Sequence, residues 1–228
     1  MATFLYVSIV LFIIWLAIFL LSPSSRREQV LMSFIGLLLA PAVMLITFGS
    51  HSDLSDIKPI GIEDGLFAFV LFGIASVIYQ VVFAKHLEFL RDSRSKRAPS
   101  LLRWTISLIF IICIWLFLAT SLAVLFSTPA LQATIVSGLM VGIYIIADRK
   151  DLLADALLSG GFIVILIFII EQLFFVRLFP EAAQTLWQSK EIQGILLSGI
   201  PLQELLWMGV VGFTIGPLYE YVRRMRLI

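Results

Sequence analysis

Two short acidic openings, "GIED" at residues 61–64 and "PLQE" at residues 201–204, each lead into an apolar run long enough to cross a bilayer. The first places Glu63 and Asp64 side by side; the second places Gln203 before Glu204, and Glu171 stands near the end of another apolar run. An unpaired ion at the centre of a membrane costs several kcal/mol, so acids just inside such runs are candidates for a working site. The plain alternative is that they complement a helix dipole. Carboxyls that face a protein interior inside a bilayer are dry, and two that lie close together hold a proton between them. Phe67, Phe69 and Trp207 follow the acids, and ring faces stabilise a carbocation where no water can quench it. Acid with aromatic lining is what protonating a carbon–carbon double bond requires, although most of the 19 phenylalanines must serve packing or lipid contact.

The elements that must position these residues follow from composition. Of 228 residues, 61% are hydrophobic and 14% charged, outside the range of soluble domains. Apolar windows fall at about 3–22, 30–50, 62–84, 101–126, 130–147, 152–178 and 198–222, which predicts an all-α integral membrane protein of seven transmembrane helices. With seven spans, 13 of the 16 Lys and Arg residues lie on one side, and only Lys58, Arg177 and Lys190 on the other. The positive-inside rule then puts the N-terminus outside and the C-terminus inside a cell membrane. The first apolar run has no basic residues before it, so it reads as a span and not as a cleaved signal. The loop "KHLEFLRDSRSKRAPS" reads as a topology-setting charge run, with no nucleic-acid partner implied.

Laying residues 61–80 over 201–220 without a gap pairs Asp64 with Glu204, Glu63 with Gln203, Phe67 with Trp207 and Tyr79 with Tyr219. A weaker echo pairs Arg26, Arg27 and Glu28 with Arg149, Lys150 and Asp151. Span three therefore corresponds to span seven, and two to six. Four spans separate the copies, so the units point the same way: two parallel three-helix repeats, 1–90 and 129–228, joined by a loop and linker helix over 91–128. At 1.5 Å per residue, Glu171 lies within roughly 12 Å of the outer end of its span, level with the two acidic openings. Three helices thus bring Glu63, Asp64, Glu171, Gln203 and Glu204 to one depth.

Both openings, each followed by an apolar-aromatic helix with a late tyrosine, resemble the paired P-x-E-(E/D) elements of the lycopene cyclase domain family, the heterodimer-type and fused two-unit membrane carotenoid cyclases. The resemblance implies an isomerase that closes the ends of linear lycopene into β-type rings by carboxylate acid catalysis, with a hydrophobic isoprenoid substrate, membrane lipid as its surroundings and no cofactor. It implies catalytic roles for Glu63, Asp64 and Glu204, and the shared depth of the acids with the aromatic residues beside them adds Phe67, Phe69, Glu171, Gln203 and Trp207 as expected substrate-binding residues. Two positions depart from the pattern: Gly61 stands where the first element has proline, and Gln203 replaces a carboxylate in the second. A proton-coupled carrier and a non-catalytic isoprenoid binder are the alternatives. For a carrier, matched helix breaks are expected; Pro41 falls opposite Val164 and Pro217 opposite Val77, so the sequence repeat pairs no breaks. A retinal protein needs a mid-span lysine, and the lysines of spans three to seven lie in loops or at span ends.

The remaining features read as structural. Cys113 in "IFIICIWLF" is expected as a buried small hydrophobe. No metal site is expected, because His51 and His86 have no second histidine at ligand spacing. Gly160 and Gly161 are expected at a close helix contact, Asp155 as a snorkelling or capping acid or as part of a cytoplasmic proton path, Glu220 paired with Arg223 and Arg224, and the segment 180–194 with Trp187 as an interfacial helix or a lid.

Overall fold

The computed structural model describes residues 2–49, 61–89, 101–181 and 195–227. The loop around His51, the basic residues 91–97 and the segment 182–194 with Trp187 lie outside the described residues. Regular structure is almost wholly helical: α1 (Ala2–Leu21), α2 (Arg26–Gly49), α3 (Ile62–Val82), α4 (Leu101–Leu125), α5 (Ala130–Asp148), α6 (Leu153–Glu171), α7 (Leu202–Ile215) and α8 (Leu218–Arg223). Among the described residues, six stretches are long and apolar enough to cross a membrane: Phe4–Leu21, Ile62–Val82, Arg103–Leu125, Ala130–Asp148, Lys150–Leu178 and Leu202–Arg223. In lipid the backbone must satisfy its own hydrogen bonds, which is why these runs are helices.

The bundle has two similar clusters. Helix α3 packs against α1 and α2, α7 packs against α5 and α6, and α3 also touches α6 and α7 across the middle. Helix α4 leans on α5 and more lightly on α2. The last expected span is divided, because Pro217 follows the end of α7 and starts the short α8. After α6 the chain widens into a π-helical segment, Gln172–Leu178, closed by Phe179 N–H donating to the Phe174 carbonyl at 2.8 Å. A hairpin then leads into α7: β2 (Leu196–Leu197) pairs antiparallel with β3 (Ile200–Pro201), and Ser198 (φ 55°) and Gly199 (φ 91°) form its turn. Gln172 Nε2 donates to the Ser198 carbonyl at 2.9 Å, tying the hairpin to the π segment.

At the basic end, β1 (Leu87–Phe89) follows α3 and pairs antiparallel with β4 (Met225–Leu227), which follows α8. Arg226 donates to Glu88 at 2.7 Å across this ribbon. Helices α3 and α7–α8 therefore leave the bundle at the same end and run in the same direction.

The α6–α7 contact explains one glycine expectation and corrects the other. A Cβ at Gly212 would lie 2.7 Å from the Ser159 carbonyl and 2.8 Å from Gly160 Cα, so the two backbones approach too closely for any side chain. Gly161 faces open space and takes no part. Gly212→Val forces the helices apart, and thermal unfolding of the purified protein in detergent is expected to show a loss of about 1–3 kcal/mol, the usual cost of overpacking. Cys113 is likewise not buried but lies on the outer surface of the bundle, where the lipid would be.

Candidate functional site: an acid-lined cavity at the start of α3 and α7

A cavity of about 220 Å³ lies where α3, α6 and α7 meet, closed on its other sides by α1 and α2. Helix α3 contributes Asp64, Phe67, Ala68, Leu71 and Phe72, and α7 contributes Glu204, Trp207, Met208 and Val211. Ile167, Ile170 and Glu171 come from α6, Phe175 from the π segment, Gly36, Leu39 and Ala40 from α2, and Phe4 and Val7 from α1. Three acids thus meet in an otherwise apolar and aromatic space.

Their surroundings differ. Asp64 turns back to accept the Gly61 backbone N–H at 3.0 Å, a helix-start bond that fixes its carboxylate. Gly61 has φ −77°, an angle proline could adopt, but proline would have no N–H to offer Asp64. The equivalent position before α7 is Pro201 (φ −63°), so Glu204 at the matching place has no such donor. The departure at Gly61 therefore has a structural counterpart: it ties down one acid of a pair whose other member is left free of the backbone. Glu171 is buried, its Oε2 has no hydrogen-bond partner among the described residues, and Glu204 lies within range of its charge.

Glu63, Phe69 and Gln203 are not brought to the cavity. Glu63 folds back over its own helix start, where its carboxyl occupies the space a side chain on Gly61 would need. Phe69 sits on the other face of α3, against Trp15 at 5.4 Å and edge-on to Phe34 at 5.5 Å, and lines a separate apolar groove with Pro41 and Gly65. The Gln203 Oε1 is buried without a partner among the described residues, but it does not line the cavity. The aromatic rings that do line it are backed by others: Phe67 lies 5.2 Å from Phe4, and Trp207 6.3 Å from Trp115 of α4.

A second polar cluster at the opposite, basic end of the same helices was not anticipated. Gln80 Nε2 donates to Glu28 Oε2 at 2.6 Å and to Glu220 Oε1 at 2.8 Å, joining α2, α3 and α8. All three side chains are buried, as is Asp155, which accepts the Ser159 hydroxyl at 3.0 Å. Glu220 is therefore not the partner of Arg223 or Arg224, and Asp155 is not a snorkelling acid. Arg149 reaches this region but donates to the Glu220 backbone carbonyl at 2.9 Å, not to its carboxylate. Gln80→Leu removes the one side-chain amide that serves both glutamates; leaving two buried acceptors unsatisfied is expected to lower thermal stability by about 1–3 kcal/mol for each lost bond. Gln80→Asn, too short to span both, is expected to fall between.

The fold and cavity define a helical membrane protein with an acidic, aromatic-lined pocket near one end of its bundle. The family model described as "Lycopene cyclase" matches residues 129–222, from the start of α5 into α8, so this part of the chain is similar to that family. No curated protein and no solved structure matches the chain. The matched region holds Glu171, Glu204 and Trp207.

Proposed function

We propose that the chain is a carotenoid cyclase-type isomerase of the cell membrane, N-terminus outside, whose site is the cavity shared by α3, α6 and α7. The observation that carries this reading is the meeting of Asp64, Glu171 and Glu204 with Phe67 and Trp207 in one apolar space. Glu171 and Glu204, within reach of each other's charge and with no cation among the described residues lining the cavity, are neutralised most cheaply by a shared proton, which makes them the acid. Asp64, held as a hydrogen-bond acceptor by Gly61, is the base. The acid adds a proton to the terminal double bond of a linear polyene, and the resulting cation is attacked by the next double bond along the chain. A six-membered ring closes, a ring proton passes to Asp64, and its return from Asp64 to the Glu171–Glu204 pair restores the site. No atom is gained and no electron is transferred, so nicotinamide or flavin is not required. Phe67 and Trp207 shield the cation from water and stabilise it through their ring faces.

The lining supports the parallel repeat on which the reading rests. Asp64, Phe67, Ala68 and Leu71 pair with Glu204, Trp207, Met208 and Val211 at a constant separation of 140 positions. Gly36, Leu39 and Ala40 pair with Ile167, Ile170 and Glu171 at a constant 131. This second register differs from the one suggested by the basic residues before α2 and α6. In it Pro41, inside α2, falls opposite Gln172, where the π segment begins. Matched irregularities in two halves are what a carrier would use, and this pairing of an in-helix proline with a π segment is the observation behind proton-coupled transport as the second reading, although α2 itself runs unbroken from Arg26 to Gly49. Production in a host that accumulates lycopene separates the two. A cyclase yields pigments of unchanged mass with ring ends whose double bonds twist out of the plane of the chain, shifting absorption to shorter wavelength; a folded protein that leaves lycopene untouched is a carrier or binder.

A further inference from the structure

A groove of about 690 Å³ runs between α2 and α4 on the outer surface of the bundle, away from the acid cavity. Its floor and walls include Val30, Leu31, Phe34 and Leu38 of α2 and Trp104 and Leu108 of α4, and its basic end is formed by Arg26 and Arg27. From Arg27 to Leu38 the helix rises roughly 16 Å, which matches one leaflet of a hydrocarbon core of about 30 Å. The groove therefore begins at a charged rim and stops near mid-membrane, the dimensions of one acyl chain below its headgroup.

The rim is cationic by construction. Arg26 is pinned to the end of α1, donating to the Phe19 and Leu20 carbonyls at 2.7 and 3.1 Å and lying over the Phe19 ring at 5.1 Å. Arg223 lies over Trp104 at 5.3 Å and over Tyr219 at 5.6 Å. Arg27 is exposed and has no carboxylate partner among the described residues. Among the described residues the acids at this end are engaged elsewhere: Glu28 and Glu220 are buried on Gln80, Asp155 accepts from Ser159, Asp148 lies against Tyr221, Asp151 pairs with Arg149, and Glu88 with Arg226. A hydrocarbon alone gives the Arg27 guanidinium nothing to bind, and a free anion leaves the apolar walls uncovered.

We infer that the α2–α4 groove is a selective site for an anionic phospholipid, one acyl chain lying along Leu31, Phe34 and Leu38 and the phosphate held at Arg27. Basic pockets between transmembrane helices bind anionic headgroups by this combination of charge and apolar length. This inference does not depend on the cyclase reading. The test uses the full chain, purified in detergent and stripped of lipid, with dioleoyl phosphatidylglycerol, dioleoyl phosphatidylcholine or inorganic phosphate added back. Bound lipid is counted by native mass spectrometry, and thermal unfolding is followed alongside. Phosphatidylglycerol is expected to be retained in preference to phosphatidylcholine and to raise the unfolding temperature. Arg27→Gln is expected to cut that preference about fivefold, the effect of one basic residue near an anionic surface, while Arg27→Lys keeps most of it. Equal retention of both lipids, a preference that survives Arg27→Gln, or stabilisation by phosphate alone as large as by the lipid would each overturn the assignment.

Discussion

Glu204→Gln is expected to abolish most ring formation in a lycopene-accumulating host, with a loss of at least about a hundredfold, the lower end of general acid contributions. The substitution preserves shape and removes the ionisable proton, and Glu204 has no backbone cap to lose, since Pro201 offers no N–H. Helix α7 should therefore remain folded, and pigment analysis beside a thermal unfolding curve checks both halves of the statement. Full ring formation from a Glu204→Gln protein would leave the membrane fold intact and remove this carboxyl from the chemistry.

The second large effect concerns which glutamate accompanies it. Glu171→Gln is expected to cost at least about a hundredfold as well, because it breaks the pair that shares the proton. Glu63→Gln is expected to change the rate less than about fivefold, since its side chain lies over Gly61 and outside the cavity. Asp64→Asn stands between the two, keeping an acceptor for the Gly61 N–H but losing a base. Initial rates of lycopene loss for the four single variants, each normalised to folded protein, decide the order. The reverse ranking, with Glu63 essential and Glu171 dispensable, would return the acid role to the pair that stands out in the sequence.

That contrast shows where sequence reading stops. The helices were legible because bilayer-length apolar runs have few other ways to satisfy their backbones, and the expected windows lie close to the observed helices. The acids were legible as a level, since depth follows from counting residues along a span. Their facing was not: consecutive helical residues point about 100° apart, and nothing in "GIED" says that Asp64 turns inward and Glu63 back over Gly61. Glu171 was visible, but only packing of α3, α6 and α7 makes it a neighbour of Glu204. The π segment has no local sequence mark, because a hydrogen-bond ladder widened by one residue uses ordinary apolar residues. Gln80 was invisible for another reason. An amide near the end of a span is unremarkable until Glu28 and Glu220, 52 positions before it and 140 after it, arrive on either side.

The two acidic openings converge on one cavity, and its volume of about 220 Å³ is below the roughly 300–1,000 Å³ of pockets that enclose a whole drug-sized ligand. A long molecule with two identical termini can present only one of them at a time. On the proposed chemistry, the second terminus is reached only after the first product has backed out and turned end over end, or after another copy of the protein meets it. Singly processed molecules are then true intermediates that appear before doubly processed ones. Their share of the final mixture records a competition in the membrane between fresh substrate and half-finished product, so raising the substrate supply should shift the mixture toward the one-ringed species.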